Sequence, residues 1–483
     1  MRNVRSLKEP EEFLSYQASL GVSLPFHETV QSGPDAPLAQ PAEVEGHLVG
    51  NRFAILPMEG WDNTTDGKPT DLTQRRWRRW GESGAKLIFG AEAMAVRPDG
   101  RGSPGQLMMI EPNLREISAL RDTLVQAHAA DFGKTDDLFV GVQLTHSGRV
   151  SHPHDMDRSE PRILYHHPIL DRRYDADGDA AVLTDDEIDQ LVEDFVKATA
   201  VSKRAGFDFV DIKHCHGYLG HEFLSAVDRP GKYGGSFENR TRFLRDVVAG
   251  IRAETPDMVV AVRVSAVDFV PFGEGDDPDR PAPAPFEGPR YRYAFGGDGT
   301  GAGIDLTEPL AFLDLLEELG ITLVGISIGA EYNSHIMEPY SSLPVAPHKS
   351  PEDPLLGVAR LIDVCAELKR QRPGLLYVGG GYSYLQHWLP NVAEAVVADG
   401  AADFVGIGRL SLSYPDIVAD ILNGAPLQRK RVCTTCGYCD IAPGFGVSSG
   451  CYLLDEFYRK RPEFEVLKRA AKGDQARDDV TPA

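Results

Sequence analysis

A cation, an imidazole and a phenol follow one another within six residues near the middle of the chain. Lys213, His216 and Tyr218 come directly after the apolar run 207–212, which is typical of a buried parallel strand. In parallel α/β folds, chemistry takes place just beyond the carboxyl ends of the strands. These three side chains can together polarise a carbonyl and deliver a proton. They therefore predict an active site, and the alternative is a polar loop that only satisfies its own hydrogen bonds.

Four of the six cysteines lie in one short segment near the C-terminus, at positions 433, 436, 439 and 451. In a large chain this spacing favours metal binding over disulfides. Cys433, Cys436, Cys439 and Cys451 could hold a [4Fe-4S] cluster or a structural zinc ion, and the spacing alone does not decide between them. Cys215 and Cys365 are expected to be buried small apolar residues.

The composition excludes several classes of partner. The chain of 483 residues carries 72 acidic and 50 basic side chains, a formal net charge of -22. Such a surface repels phosphate backbones and anionic lipid heads, so we expect no nucleic-acid partner and no membrane partner. Since no 18 apolar residues run together, we expect a cytoplasmic protein.

Eight candidate strands alternate with helical patterns along most of the chain. The strands are predicted at residues 52–57, 86–91, 138–144, 207–212, 259–264, 323–328, 375–378 and 404–407. A helix is predicted from residue 185, capped by Thr184, and another over 310–319, ended by Gly320. Because no Gly-x-Gly-x-x-Gly follows the first strand, the alternation predicts a closed (β/α)8 TIM barrel, not an open doubly wound sheet.

Three regions are expected on this basis. Residues 1–46 form an N-terminal arm, residues 47–425 form the barrel, and residues 426–483 form a cysteine-rich segment with a C-terminal helix over 456–472 and a tail. A Pro-, Gly- and Asp-rich insertion at 269–303 follows the fifth strand, and it is either a substrate lid or a surface excursion.

Six segments in this order resemble the old yellow enzyme family, the FMN-dependent NADH:flavin oxidoreductases, over roughly residues 40–425. The segments are 51–58, 95–101, 143–149, 213–225, 262–265 and 406–409. The resemblance implies an FMN-dependent oxidoreductase that acts on a small-molecule substrate, with NAD(P)H as a candidate electron donor. We also expect a homo-oligomer.

The same resemblance implies which residues hold FMN. They are Pro57, Met58, Glu59, Ala93, Gln143, Arg263, Gly380, Gly381, Gly408 and Arg409. The amide of Gln143 suits the flavin pyrimidine edge, and Arg263 can stabilise the reduced flavin anion. The glycines and Arg409 follow the last two strands, where barrels build phosphate sites.

By resemblance, Tyr218 is the proton donor and His216 grips the substrate oxygen, but two positions depart from the family pattern. Lys213 stands where the family usually has histidine, which favours a carboxylate or enolate substrate unless the amine turns away to an acidic loop. Glu59 replaces the usual threonine or cysteine, so it is expected either to alter the redox potential or to meet a cationic substrate.

The cysteine run resembles the subgroup that contains trimethylamine dehydrogenase and 2,4-dienoyl-CoA reductase, which implies a [4Fe-4S] cluster near the flavin, with zinc as the alternative. Those relatives continue into further domains, so a separate electron-transfer protein or reductase subunit is expected as a partner. The first hypothesis is reduction of a carbonyl- or carboxylate-conjugated C=C bond. The alternatives are an amine or C–H dehydrogenase that passes electrons through the cluster, and a non-catalytic electron-transfer subunit.

Overall fold

The computed structural model describes residues 2–273, 281–333 and 350–471. The N-terminal arm contains the helix α1 (Pro10–Ser19) and an antiparallel hairpin of β1 (Ala42–Val44) with β2 (His47–Val49). Phe13 of α1 stacks on the ring of Trp388 with their centroids 5.4 Å apart. The arm is therefore packed onto the chain that follows the seventh barrel strand.

Parallel strands close into a barrel in the described part of the chain. In chain order the further strands are β3 (Phe53–Ile55), β4 (Leu87–Ile88), β5 (Ala93–Ala95), β6 (Phe139–Thr145), β7 (Phe209–His214), β8 (Val259–Val267), β9 (Phe272–Gly273), β10 (Ala282–Pro283), β11 (Leu323–Ile328), β12 (Leu376–Gly379) and β13 (Phe404–Ile407). The sheet runs β3, β4, β6, β7, β8, β11, β12 and β13, and β13 pairs with β3 in parallel to close it. The predicted TIM barrel is confirmed.

The second strand is shorter than the predicted 86–91. It stops at Ile88 because Gly90 and Ala91 adopt positive φ angles of 83° and 44°, which extended backbone excludes. The chain resumes as β5, which pairs with the next part of β6 through Ala93 and Gln143. Because of this break, residues 89–92 lie close to the end of β3, and the Met58 amide donates to the Ala91 carbonyl at 2.9 Å.

Helices surround the barrel. In chain order they are α2 (Asp71–Gly81), α3 (Leu114–Phe132), α4 (Asp185–Arg204), α5 (Leu219–Leu224), α6 (Phe237–Arg240), α7 (Arg242–Glu254), α8 (Thr307–Glu318), α9 (Pro354–Gln371), α10 (Leu389–Ala398), α11 (Arg409–Ser413), α12 (Ile417–Leu422), α13 (Tyr438–Ile441), α14 (Glu456–Arg459) and α15 (Glu463–Ala470). Thr184 caps α4 as predicted, in a reciprocal capping box with Glu187. The helix predicted over 456–472 is two short helices in the described chain, because Pro462 cannot continue α14.

Two apolar layers stabilise the barrel. One lies between the strands and the surrounding helices, and the other fills the barrel interior with side chains such as Phe89, Phe139 and Phe209. Gly141 makes room for this filling, since a Cβ there would lie 2.2 Å from the Phe209 ring. The interior is therefore closed below the mouth, as in other barrels of this size.

The described part of the insertion packs against the loop that follows β6. The rings of Tyr165 and Tyr293 stack with centroids 5.4 Å apart, and His167 Nε2 lies 2.8 Å from the Tyr291 hydroxyl. Residues 274–280 of the predicted insertion lie outside the described residues, as does the tail from residue 472. Among the described helices, none has the length and apolar character needed to cross a lipid bilayer.

Candidate active site at the barrel mouth

A cavity opens at the carboxyl ends of the barrel strands. Most of the predicted site residues line it: Pro57, Met58, Glu59, Gln143, Lys213, His216, Tyr218, Arg263, Gly381, Gly408 and Arg409. The structure thus gathers residues from six separate strand ends around one space. The C-terminal segment closes one side of this cavity with Cys439, Asp440, Pro443 and Ser449.

Two residues predicted to hold FMN are missing from the lining among the described residues. Ala93 is fully buried in β5, where its carbonyl accepts a hydrogen bond from Gln106 Nε2 at 3.1 Å. Gly380 packs against Leu361, which would lie 3.3 Å from a Cβ at that position. Ala93 pairs with Gln143 in the sheet and Gly380 precedes Gly381, so each lies next to a residue that does line the cavity.

Gln143 is oriented by a buried carboxylate that the sequence interpretation missed. The Asp211 carboxylate accepts a hydrogen bond from Gln143 Nε2 at 2.5 Å and another from the Arg263 backbone amide at 2.7 Å. Burial raises the pKa of Asp211 to about 6. Because the amide N–H of Gln143 is committed to Asp211, its carbonyl oxygen is the group left to face the cavity, where it can accept from a ring N–H.

The opposite end of the cavity suits a phosphate. Gly381 adopts a left-handed φ of 86°, and it precedes Ser383, whose Oγ accepts from the amides of Gly408 and Leu410 at 3.3 and 3.4 Å. Arg409 is 8% exposed at the start of α11 and lines the same cavity. A guanidinium between two glycine-rich strand ends is a common way to bind a phosphate in this fold.

These groups fit FMN. Gln143 matches the hydrogen-bonding edge of the flavin pyrimidine, and Arg263 supplies a cation on the same side of the cavity. In the described chain no carboxylate forms a salt bridge with Arg263. A Cβ at Gly406 would lie 2.4 Å from the Gly379 carbonyl, so the floor of the cavity admits only backbone there. The donor set therefore matches a flat, anionic, hydrogen-bonding cofactor.

Tyr218 is held as a neutral phenol. Its side chain is buried beside α5, and burial together with the nearby Glu59 and Glu331 carboxylates raises its pKa well above the usual range. The Lys213 ammonium lies over the ring, 3.3 Å from its centroid. A protonated phenol that faces the cavity can deliver a proton to a bound substrate.

The two residues that depart from the family pattern are paired with each other. Lys213 Nζ donates to Glu59 Oε1 at 3.1 Å, while Glu59 Oε2 accepts from Trp61 Nε1 at 2.6 Å and from Gln106 Nε2 at 3.1 Å. The side chains of Lys213 and Glu59 are 4% and 14% exposed. Lys213 therefore turns to a carboxylate inside the site and not to an acidic loop outside it, a pairing that the sequence interpretation missed.

His216 is neutral and fixed from two sides. Its Nε2 lies 2.9 Å from Ser327 Oγ, and its backbone N–H donates to Ser265 Oγ at 3.0 Å. Burial, followed by the nearby Arg263 and Lys213 charges, lowers the pKa of His216 well below its usual value. Its φ of 66° is unusual for a residue with a side chain, and the contacts that fix it are at the active site.

A buried ionic network supports the loop that carries Glu59. Arg76 donates to both oxygens of Asp62 at 2.7 Å, and its guanidinium also lies 3.2 Å from Glu92. Glu92 accepts from the Gly60 amide at 3.1 Å, and a Cβ at Gly60 would collide with Arg76. Loop 59–61 is therefore fixed from below, which keeps the Glu59 carboxylate near Lys213.

The four clustered cysteines line a second, small cavity. Arg409 and Cys439 line this cavity and the large one, so the two spaces share a wall. The Ser449 amide donates to the Gly60 carbonyl at 3.1 Å, which ties the cysteine segment to loop 59–61. Burial raises the pKa of the Cys451 thiol to about 12, so this thiol is neutral unless a cation displaces its proton.

Comparisons with known proteins show to which family the chain is related. A profile of the NADH:flavin oxidoreductase / NADH oxidase family matches residues 37–276. The NADPH dehydrogenase of Bacillus subtilis (strain 168) is 26% identical over 407 residues, which cover 82% of this chain and 98% of that protein. The relationship therefore extends over almost the whole length of a protein of this family.

Two solved structures share the fold. The 2-naphthoyl-CoA reductase complex with 2-naphthoyl-CoA has a TM-score of 0.63 at 20% identity, and the match covers 91% of this chain and 58% of that one. Histamine dehydrogenase from Rhizobium sp. 4-9 has a TM-score of 0.60 at 20% identity, with coverage of 87% and 53%. The chain thus spans a little over half the length of each of these two proteins.

The barrel and its site define the class of protein. The fold is a TIM barrel whose mouth carries a flavin-compatible cavity beside a protonated tyrosine. The chain belongs to the NADH:flavin oxidoreductase / NADH oxidase family and is an FMN-dependent oxidoreductase.

Proposed function

We propose that the protein reduces a C=C bond conjugated to a carbonyl group and that Tyr218 donates the proton. The observation that carries this proposal is the buried, protonated phenol of Tyr218, which faces the same cavity as Lys213 and His216. When bound, FMN supplies the hydride for the β-carbon. The relatives named NADPH dehydrogenase support NAD(P)H as the electron donor.

Lys213 and His216 would bind the carbonyl oxygen of the substrate. Negative charge develops on that oxygen as the double bond is reduced, so fixed N–H donors close to it stabilise the transition state more than the ground state. His216 is neutral, so it contributes a hydrogen bond without a second charge. Over one turnover the C=C bond gains a hydride and a proton, NAD(P)H is oxidised, and Tyr218 recovers its proton from solvent.

The four cysteines are proposed to hold a [4Fe-4S] cluster. In the described chain, no three His, Cys, Asp or Glu side chains are gathered as the ligands of one metal ion would be. The four cysteines line one small cavity that shares a wall with the large one, and their run resembles that of the iron-sulfur subgroup. This resemblance supports a cluster, and zinc is the alternative. When bound, such a cluster transfers single electrons, so an electron-transfer protein or reductase subunit is the partner proposed for this chain.

The amine or C–H dehydrogenase hypothesis loses one of its arguments. It relied on Glu59 and Trp61 as the receptor for a cationic substrate, but Glu59 accepts from Lys213 and from Trp61 itself. A cationic substrate would have to displace the Lys213 ammonium from this carboxylate. Reduction of an uncharged conjugated carbonyl requires no such displacement.

Anaerobic purification followed by FMN, iron, sulfide and zinc analysis tests the cofactors, and an alkene assay tests the reaction. We expect one FMN and about four irons per chain. With NADPH and 2-cyclohexenone we expect one saturated ketone for each NADPH oxidised. Oxidation of amines with an artificial acceptor, together with no reduction of the enone, would select the dehydrogenase hypothesis. A protein that binds no FMN would contradict the proposal entirely.

A further inference from the structure

The positive charge of the Lys213 ammonium is paired with a carboxylate inside the active site. It lies 3.1 Å from Glu59 Oε1 and 3.3 Å from the centroid of the Tyr218 ring, and its side chain is only 4% exposed. A lysine in this position could bind a substrate carboxylate if its charge were available. However, the Glu59 carboxylate occupies the position beside Lys213 that a substrate carboxylate would take.

Glu59 is held firmly in that place. Trp61 and Gln106 both donate to its second oxygen, and the Gly60 amide next to it is bound by Glu92. Both oxygens of the Glu59 carboxylate therefore have donors, and the loop that carries it is anchored. A substrate carboxylate near Lys213 would lie close to the Glu59 carboxylate, which is only 14% exposed, and two like charges so weakly screened repel each other strongly.

We propose that Glu59 is a specificity-determining residue that makes the site select an uncharged carbonyl substrate over a carboxylate. The Glu59–Lys213 pair offers N–H groups to a neutral oxygen but no net positive charge to an anion. This inference rests on the proposed function and narrows its substrate class to enones, esters or amides. It excludes free α,β-unsaturated acids, which remained open on the sequence alone.

Isothermal titration calorimetry of the purified holoprotein with benzoate and benzamide tests the proposal, because the two probes differ in charge but hardly in shape. We expect the wild type to bind benzamide more tightly. Glu59→Gln removes the competing charge, so the ratio of benzoate to benzamide affinity should rise by about tenfold or more. The double variant E59Q/K213M should lose that gain, since the gain depends on the unmasked ammonium.

Two further variants distinguish this effect from structural damage to the site and from a general change in the charge of the cavity. Glu331→Gln removes a different carboxylate that lines the same cavity, so it should raise the ratio by less than about threefold. Lys213→Met leaves Glu59 without its cation, so binding of the benzylammonium ion relative to benzamide should rise about tenfold. An unchanged benzoate ratio in E59Q would overturn the proposal, as would a gain that persists in E59Q/K213M. Failure of the proposed function is distinguishable, because it appears as missing FMN or unreduced enone and not in these ratios.

Discussion

The ammonium of Lys213 lies 3.3 Å from the centre of the Tyr218 ring, directly over the face of the phenol that we propose as the proton donor. Burial and nearby carboxylates favour the protonated form of Tyr218 at rest. Once the proton has left, the cation over the ring stabilises the phenolate. The pair thus keeps the proton in place before reaction and lowers the cost of its transfer.

Tyr218→Phe should lower the rate of alkene reduction about a hundredfold, because the variant keeps the ring but removes the proton. Affinity for benzamide should change less than about threefold, since the shape of the cavity is retained. Single-turnover product formation by the pre-reduced protein measures the first effect, and calorimetry measures the second. Tyr165→Phe is a matched control, because it removes a buried phenol that contacts Ser225 instead. Equal rates in the Tyr218→Phe variant and the wild type would favour the non-catalytic electron-transfer subunit.

The rate of alkene reduction should be nearly independent of pH between about pH 7 and pH 9, above the range in which Asp211 titrates. His216 has a lowered pKa, so it has already lost its second proton at the acid end of this range. Tyr218 has a raised pKa, so it still holds its proton at the alkaline end. Neither group changes charge within the range. We expect less than about a threefold change in single-turnover rate over this range. A step near pH 6.5 that persists in Asp211→Asn would show that His216 titrates normally.

Hydrophobic periodicity was sufficient to predict the barrel. The strand at 323–328 and the strand at 404–407 were predicted with the bounds that the structure shows, because buried parallel strands are short apolar runs bounded by polar residues. The second strand was predicted too long. Its end depends on positive φ angles at Gly90 and Ala91, and an alanine in that conformation has no signature in the sequence.

The sequence predicted which residues at strand ends line the site, but it did not predict which of their side chains contact each other. Position after a strand placed Lys213, His216 and Tyr218 in the cavity, as expected for this fold. The contact between Glu59 and Lys213 joins residues that are 154 positions apart, so no local pattern reports it. Asp211 did carry a signal, because an acid between two apolar residues inside a strand has to be satisfied by a specific partner.

Asp211→Asn should weaken FMN binding about tenfold or more. Both oxygens of the Asp211 carboxylate accept hydrogen bonds, from Gln143 and from the Arg263 amide. An asparagine would present an N–H group to one of these two donors. We expect the Gln143 side-chain amide to flip in response, so that its N–H would face the cavity, where the ring N–H of FMN needs an acceptor. Equilibrium titration of the apoprotein with FMN measures the loss. Asp208→Asn is the control, since Asp208 accepts from the Val140 amide away from the cavity.

Cys439→Ser and Cys451→Ser should each lower the iron content of anaerobically purified protein to well below the wild-type value. Each removes one of the four thiolates proposed to surround the cluster, and a serine oxygen is a poor replacement for a soft sulfur ligand. FMN content should stay within about twofold in Cys451→Ser, because Cys451 lines the small cavity but not the large one in the described chain.

Cys365→Ser is the matched control for the cysteine variants, since Cys365 is buried in α9. Its iron content should equal that of the wild type. Iron that survives in both cluster variants would show that these thiols are not ligands. If the wild type contains one zinc per chain and both cluster variants lose it, the cysteine-rich segment has a structural role instead. Because Cys439 and Arg409 line both cavities, a cluster held by these cysteines would lie in the wall of the cavity proposed to hold FMN, and electron exchange between the two centres needs such adjacency.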